Sequence, residues 1–323
     1  KKILFKTIDI INHKYPEIKH LFRYQMTTNG ILLDDNTLKF IEDNQIELSI
    51  SIDGDRETHN LNRKSINGKD VYDIIFRNMQ KLLQRQMPFS VRMTATANNV
   101  HLLSHNVRYF YELGIRKVNI GMDELGDWDK KSLQVLDQQL ELLDTYYLEY
   151  FANDEDAVLN LYDYKLSTFI FKRRPVYCSA GSKGHLVINS KGEFYPCGYV
   201  ANEPLWEEGS VFTSFKRKEF LSTVRTHVKK VSSCIDCDIA FTCCGAKCGF
   251  LNFSRTGFLN VNVKTTCNLQ RILYNHNVKV FEELYRAYNK KIIKLLKIAM
   301  DEQIPLGEPI LQIIEKVEGE RGG

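Results

Sequence analysis

The chain has 323 residues, enough for two domains or one large one. Apolar residues make up 43% and charged residues 26%, which excludes a disordered, collagen-like or coiled-coil chain. Lys and Arg number 44 against 40 Asp and Glu, and the balance of +4 is too weak for a nucleic-acid-binding face. No uncharged apolar run approaches the roughly 18 residues of a membrane span, so no membrane partner is expected. The opening stretch KKILFKTIDIINHK carries Asp9 within its apolar run and no cleavage site. It reads as no signal peptide, and a cytoplasmic location is expected.

Ile3, Leu4, Ile8 and Ile11 recur at helical spacing. Residues 24–28 form a short β-prone run that ends on the turn signal Asn29-Gly30. Asp34 or Asp35 caps a helix through Leu38 and Ile41, and 47–52 is a strand ending at Asp53-Gly54. An amphipathic helix follows at 71–83, a strand at 90–96, and a helix at 100–113 closed by Gly114. Residues 117–122 read as a strand and 132–151 as a long helix. Four strand–helix units in succession predict a parallel sheet with helical crossovers, hence an α/β fold that is an open sheet or part of a barrel. In such folds function gathers at the C-terminal ends of strands. Here those ends carry Thr28-Asn29-Gly30, Ser51 with Asp53-Gly54, Arg92 to Thr96, and Asn119 to Asp123. Taken one at a time, N-G and D-G are also plain turn formers.

A boundary is expected near Arg173-Arg174-Pro175. Beyond it, 185–188 and 193–195 flank Ser190-Lys191-Gly192 as a hairpin. Helical periodicity returns from Asn268 through Val278, Phe281, Leu284, Tyr288, Ile292 and Leu295, and the tail 318–323 reads as solvated and frayed. The expected domains are 1–174, 175–270 and 271–323.

Cysteine is the informative residue. There are eight, none before Cys178: Cys178, Cys197, Cys234, Cys237, Cys243, Cys244, Cys248 and Cys267. A close-spaced cluster in a chain with no secretory signal favours metal ligation over disulfides. Thiolates select zinc, copper(I) or iron–sulfur clusters. Paired zinc ribbons use two C-x2-C knuckles, and this chain has one, Cys234-x2-Cys237. The separated Cys178, Cys197 and Cys267 suit iron–sulfur clusters, whose ligands come from distant loops, and Gly192 and Gly245 would let backbone approach an inorganic core.

The run CSAGSKGHLVINSKGEFYPC, then CIDCDIAFTCCGAKC, then Cys267, resembles the SPASM domain of radical S-adenosyl-L-methionine (SAM) enzymes. TTNGILL, SISIDG followed by His59 and Arg63, and VRMTAT are similar to the third, fourth and fifth strands of the radical SAM partial (β/α)6 barrel. The resemblance covers residues 1–270 and is nearest to peptide maturases that install thioether or related crosslinks. It implies a partial radical SAM barrel, a SPASM domain with two auxiliary 4Fe-4S clusters, and a C-terminal helical extension. Cys178, Cys197 and Cys248 would hold the first auxiliary cluster, and Cys234, Cys237, Cys243 and Cys267 the second. Cys244 is an alternative to Cys243. SAM and a third 4Fe-4S cluster belong to the full-length protein, where SAM is cleaved to a 5′-deoxyadenosyl radical that abstracts hydrogen from a substrate residue. The implied partners are a ribosomally made peptide containing Cys and an electron donor such as flavodoxin or ferredoxin.

SAM-contacting candidates follow from the matching strands: Thr28, Asn29, Ser51, Asp53, Arg92 and, as a second choice, Arg63. Arg92 suits a bidentate grip on the SAM carboxylate. Arg63 and Asp53 could equally form a structural ion pair, and His59 reads as a surface residue. The sequence departs from the family in carrying no C-x3-C-x2-C and no Gly-Gly-Glu motif. It is therefore expected to be a truncated portion, inactive alone. The position after Cys197 is Gly198, where sulfatase-maturing members place a catalytic Asp, which counts against oxidation of Ser or Cys to formylglycine. Other readings are an iron–sulfur electron-transfer or peptide-binding remnant, or a zinc-binding module.

Overall fold

The computed structural model describes residues 2–171, 180, 185–215, 234, 236–243, 248–259 and 261–322. They form two compact units, one of Lys1–Met122 with Asp156–Asn160, the other of Asp123–Glu155 with Leu161–Gly323. The boundary expected at 173–175 falls outside the described residues.

The first unit begins with helix α1 (Lys2–Lys14) and strand β1 (Gln25–Thr28). It continues with α2 (Asp35–Asp43), β2 (Glu47–Ser51), α3 (Arg56–Asn62), α4 (Tyr72–Gln84) and β3 (Phe89–Ala95). Helix α5 (Leu103–Glu112) and strands β4 (Lys117–Met122) and β5 (Val158–Leu159) complete it. All five strands are parallel and stand in sequence order, β1-β2-β3-β4-β5. A strand order without reversal is that of a barrel segment; a doubly wound sheet reverses at its midpoint. The architecture is a partial (β/α) barrel.

Local signals explain the helix starts. Asp34 accepts the Thr37 amide at 2.8 Å and Asp55 accepts that of Thr58 at 2.9 Å, each satisfying an otherwise orphaned N–H of the first turn. Along the strands Leu48, Ile50 and Ile52, then Val91, Met93 and Ala95, then Val118 and Ile120, are buried. With Leu38, Ile41, Ile75, Met79, Leu82, Val107 and Phe110 from the helices they make the core. Alternate positions Ser49, Ser51, Ser90, Arg92, Thr94 and Asn119 line the other face, which is polar and half-buried to exposed. Parallel sheets are ordinarily apolar on both faces. This one keeps a surface suited to a polar ligand.

The second unit contains α6 (Lys130–Glu149), α7 from Leu161 onward (the helix runs Asn160–Ile170), and a hairpin of β6 (Val187–Ile188) with β7 (Phe194–Tyr195). Four helices follow: α8 (Gly249–Thr256), α9 (Lys264–Arg286), α10 (Lys290–Asp301) and α11 (Glu308–Gly322). Leu136, Leu140 and Leu143 of α6, Leu166 and Phe169 of α7, and Leu269, Leu273, Val280 and Phe281 of α9 form its core. A buried polar cluster joins α6 to α9. His276 Nδ1 lies 2.7 Å from Asp144 Oδ2, His276 Nε2 lies 3.1 Å from Asp137, and the Tyr162 hydroxyl donates to Asp144 at 2.6 Å. Burial alone would lower the His276 pKa, but its hydrogen bonds to the two carboxylates raise it.

Two expectations are corrected. Residues 318–322 are exposed, as a solvated tail should be, but helical rather than frayed: they belong to α11, Tyr285 donates to Glu318 at 3.0 Å, and the Arg321 guanidinium stacks 3.8 Å over the Tyr288 ring. His59, expected at the surface, is fully buried. Gly192 sits in the turn of the β6–β7 hairpin, as expected, with the left-handed φ of +83 that glycine permits.

Candidate functional site: strand ends and two groups of thiols

At the strand ends of the first unit, Asp53 is 2% exposed and fully engaged. It accepts Arg63 Nε at 2.8 Å, Arg63 Nη2 at 3.0 Å and the Thr94 amide at 2.9 Å. Arg63 Nη2 also donates to Thr94 Oγ1 at 3.2 Å. Asp53 and Arg63 are thus an ion pair that ties the end of β2 to β3. Beneath it, His59 Nδ1 accepts the Asp53 amide at 3.4 Å, while its buried Nε2 has no hydrogen-bond partner. Burial presses the His59 pKa down to about 4, against the pull of the Asp53 charge. The ring is therefore neutral at pH 7. Gly54 (φ +153) packs so closely that a Cβ there would fall 2.1 Å from Asn106 Oδ1, an oxygen that accepts the Asp55 amide at 3.0 Å.

Ser51 and Arg92 are register partners on the polar face, Ser51 half-buried and Arg92 exposed. Asn29 is exposed beyond β1, where its Oδ1 accepts the Ile31 amide at 3.2 Å. Thr28 pairs in register with Ile50 and so stands on the helix-packed face, with its Oγ1 accepting the Gly30 amide at 3.3 Å. Of the six strand-end candidates, Asn29, Ser51 and Arg92 are open to a ligand, Asp53 and Arg63 hold one another, and Thr28 belongs to the other face.

In the second unit the six described cysteines are thiols rather than disulfides. Cys178 and Cys244 lie outside the described residues. Cys197 is buried with Tyr195, Val200, Trp206 and Phe250, and Cys248 packs on the same cluster. Cys243 is buried with Ile239, and Cys237 and Cys267 pack there together with Tyr274. Cys234, three residues before Cys237, is half-buried. Among the described residues, no three His, Cys, Asp or Glu side chains converge as ligands of one metal ion.

Several sulfurs meet hydrogen-bond donors. Cys248 is the N-cap of α8, its Sγ accepting the Leu251 amide at 3.4 Å. Cys267 lies in the first turn of α9, and Asn262 Nδ2 donates to its Sγ at 3.0 Å. Arg271 is bidentate on Asp238 at 2.8 and 2.9 Å, and its Nη2 reaches 3.9 Å from Cys237 Sγ. That guanidinium holds the Asp238 carboxyl at about 2. A soft, all-sulfur donor set parted into two groups fits iron–sulfur ligation.

Sequence reasoning did not single out Thr94, Lys165, Gln270 or Glu124. Lys165 Nζ donates to Gln270 Oε1 at 2.6 Å, and Gln270 Nε2 donates to Glu124 Oε1 at 3.3 Å. Burial pushes the Glu124 pKa up, opposed by Lys165 and Gln270. The only sequence signal was the position of Glu124 two residues past a strand end. The Lys165 and Gln270 contacts are tertiary.

No family model matches the chain. A cysteine-type anaerobic sulfatase-maturating enzyme of Clostridium perfringens is 26% identical over 227 residues, which is 67% of this chain and 59% of that enzyme. The corresponding enzyme of Clostridium novyi is 23% identical over 230 residues, 65% of this chain and 60% of that one. The chain thus spans about three fifths of the length of these curated relatives. Among solved structures, hexahistidine-tagged anSMEcpe with bound AdoMet superposes with a TM-score of 0.68 at 20% identity, covering 92% of this chain and 81% of that one. Native anSMEcpe with bound AdoMet and the Cp18Cys peptide gives a TM-score of 0.67 at 20% identity, with coverage of 92% and 82%. The chain therefore shares its fold with anSMEcpe.

Proposed function

We propose that the chain is the barrel and iron–sulfur part of a radical SAM enzyme that modifies a peptide, forming a thioether or related crosslink on a Cys-containing substrate. The observation that supports this most is the parting of the thiols into two packed groups, Cys197 with Cys248, and Cys237, Cys243 with Cys267. Cys178 would complete the first set and Cys234 the second. The matched relatives mature sulfatases, and one solved neighbour carries both AdoMet and a Cys peptide. Within these residues, Ser51 and Arg92 would meet the ribose and carboxylate of SAM, with Asn29 beside them. Bound iron–sulfur groups would supply one-electron chemistry and an iron site for a substrate thiolate. The chain's own part is to orient SAM and peptide and to present thiolates.

Gly198 favours crosslinking over formylglycine formation. A Cβ at this position would meet open space, so packing does not dictate the missing carboxyl group. An electron donor of the flavodoxin or ferredoxin kind belongs to the same reading.

Anaerobic reconstitution tests the proposal. About eight iron and eight sulfide per chain, the content of two 4Fe-4S clusters, is expected. Zinc without sulfide would overturn it in favour of a zinc module. For the whole enzyme, a Cys peptide should emerge lighter by a pair of hydrogens with its sulfur retained. Loss of the sulfur would identify formylglycine chemistry instead, and an unchanged peptide would identify an electron-transfer remnant.

A further inference from the structure

Lys165, Gln270 and Glu124 form a chain of cation, amide and carboxylate within the second unit, linked at 2.6 and 3.3 Å. Gln270 is 8% exposed and lies one helical turn beyond Cys267 on α9. Lys165 and Gln270 share with Thr242 and Cys243 the lining of a narrow, partly open gap of about 10 Å³. That is at the lower limit for a single water. The thiol-bearing loop is pinned there, because Thr168 Oγ1 of α7 lies 3.2 Å from Thr242 Oγ1, next to Cys243. Lys165 is half-buried, and with so little room for solvent between its segment and that of Cys243 its charge is only partly screened there.

We propose that the Lys165–Gln270–Glu124 chain tunes the reduction potential of the iron–sulfur group that Cys237, Cys243 and Cys267 would hold. Lys165 raises that potential and Glu124 lowers it. The proposal rests on the iron–sulfur reading above. Reduction adds one negative charge to such a group, so a nearby cation stabilises the reduced state and a nearby carboxylate opposes it. Lys165 shares the gap with Cys243, whereas Glu124 stands beyond Gln270, so the cation has the larger effect. Gln270 keeps the two charges apart, since a direct pair would cancel at short range.

The test is a potentiometric titration of the reconstituted, dithionite-poised protein followed by electron paramagnetic resonance, with iron and sulfide counted in each sample. Lys165→Met should shift one midpoint to lower potential and leave the other in place, and Lys165→Arg should restore it. Glu124→Gln should shift the same midpoint upward by a smaller amount. Unmoved midpoints at wild-type iron and sulfide content would overturn the proposal, as would equal-sign shifts for Lys165→Met and Glu124→Gln. If Lys165→Met loses its cluster, Glu124→Gln decides: no upward shift overturns the tuning. A wild-type protein that takes up no iron and sulfide overturns the iron–sulfur reading itself.

Discussion

The strand ends of the first unit and the thiol region of the second solve the same problem of holding polar groups in opposite ways. Asp53 accepts three hydrogen bonds of 2.8–3.0 Å from the protein itself, and His59, Thr94 and Asn106 brace the same turn. The sulfurs instead carry contacts of 3.0 Å at Cys267, 3.4 Å at Cys248 and 3.9 Å at Cys237, beside small apolar clusters. The first arrangement is complete without a ligand. On the proposed function, the second would be completed by the iron–sulfur groups it binds.

The sharpest way to break this contrast is to remove a thiol. Cys243→Ser or Cys267→Ser should cost about half of the iron and sulfide, one 4Fe-4S cluster of two, and Cys197→Ser the other half. Elemental analysis of the anaerobic protein reads this directly, and an undiminished content in all three would refute the grouping. Next in size, Asp53→Ala should destabilise the first unit by about 3 kcal/mol, the low end for breaking a buried pair because Arg63 is 35% exposed and partly screened. The urea midpoint measures it; a change below about 0.5 kcal/mol, the range of ordinary surface substitutions, would show that the network is not preorganised by Asp53.

Acid probes the same turn. His59 has a folded pKa of about 4 against an unbound reference of 6.5, so the unfolded chain takes up its proton first as pH falls. Its contribution is therefore present above pH 6.5 and is lost between 6.5 and 4, up to about 3 kcal/mol. His59→Gln should flatten the stability profile in that window, and an unchanged slope would place the acid sensitivity elsewhere. The smallest effect is expected at Gly198→Asp, where open space and an ordinary backbone predict a change within about 0.5 kcal/mol. A thermal midpoint lowered by many degrees would mean that packing, rather than chemistry, excludes a carboxylate there.

Much of the barrel was legible because its determinants are local. The alternation of Leu48, Ile50 and Ile52, the caps Asp34 and Gly114, and the D-G and N-G turns each encode their element within a few residues. The division of the cysteines into two ligand sets is what the family resemblance implies, and it belongs to the proposal rather than to spacing. What stayed hidden was tertiary. His59 looks like a surface residue in the polar run ETHNLNRK, and only its packing under Asp53 and near Tyr72 buries it. The end of α11 looks like a charged tail until Arg321 meets Tyr285 and Tyr288. Thr28 and Asn29 are adjacent in sequence but not on the same face, because the register with β2 assigns Thr28 to the side of Ile50. Strand β5 is two residues long, too short to leave a period.

The position of Trp206 supplies a native optical probe. The chain has two tryptophans, and Trp206 shares its apolar cluster with Cys197 and Cys248 while Trp128 lies just before α6. A visible-absorbing inorganic core beside Trp206 would quench its emission by energy transfer. In a Trp128→Phe background, the fluorescence of one indole would follow assembly of the first thiol group in real time, with no label attached.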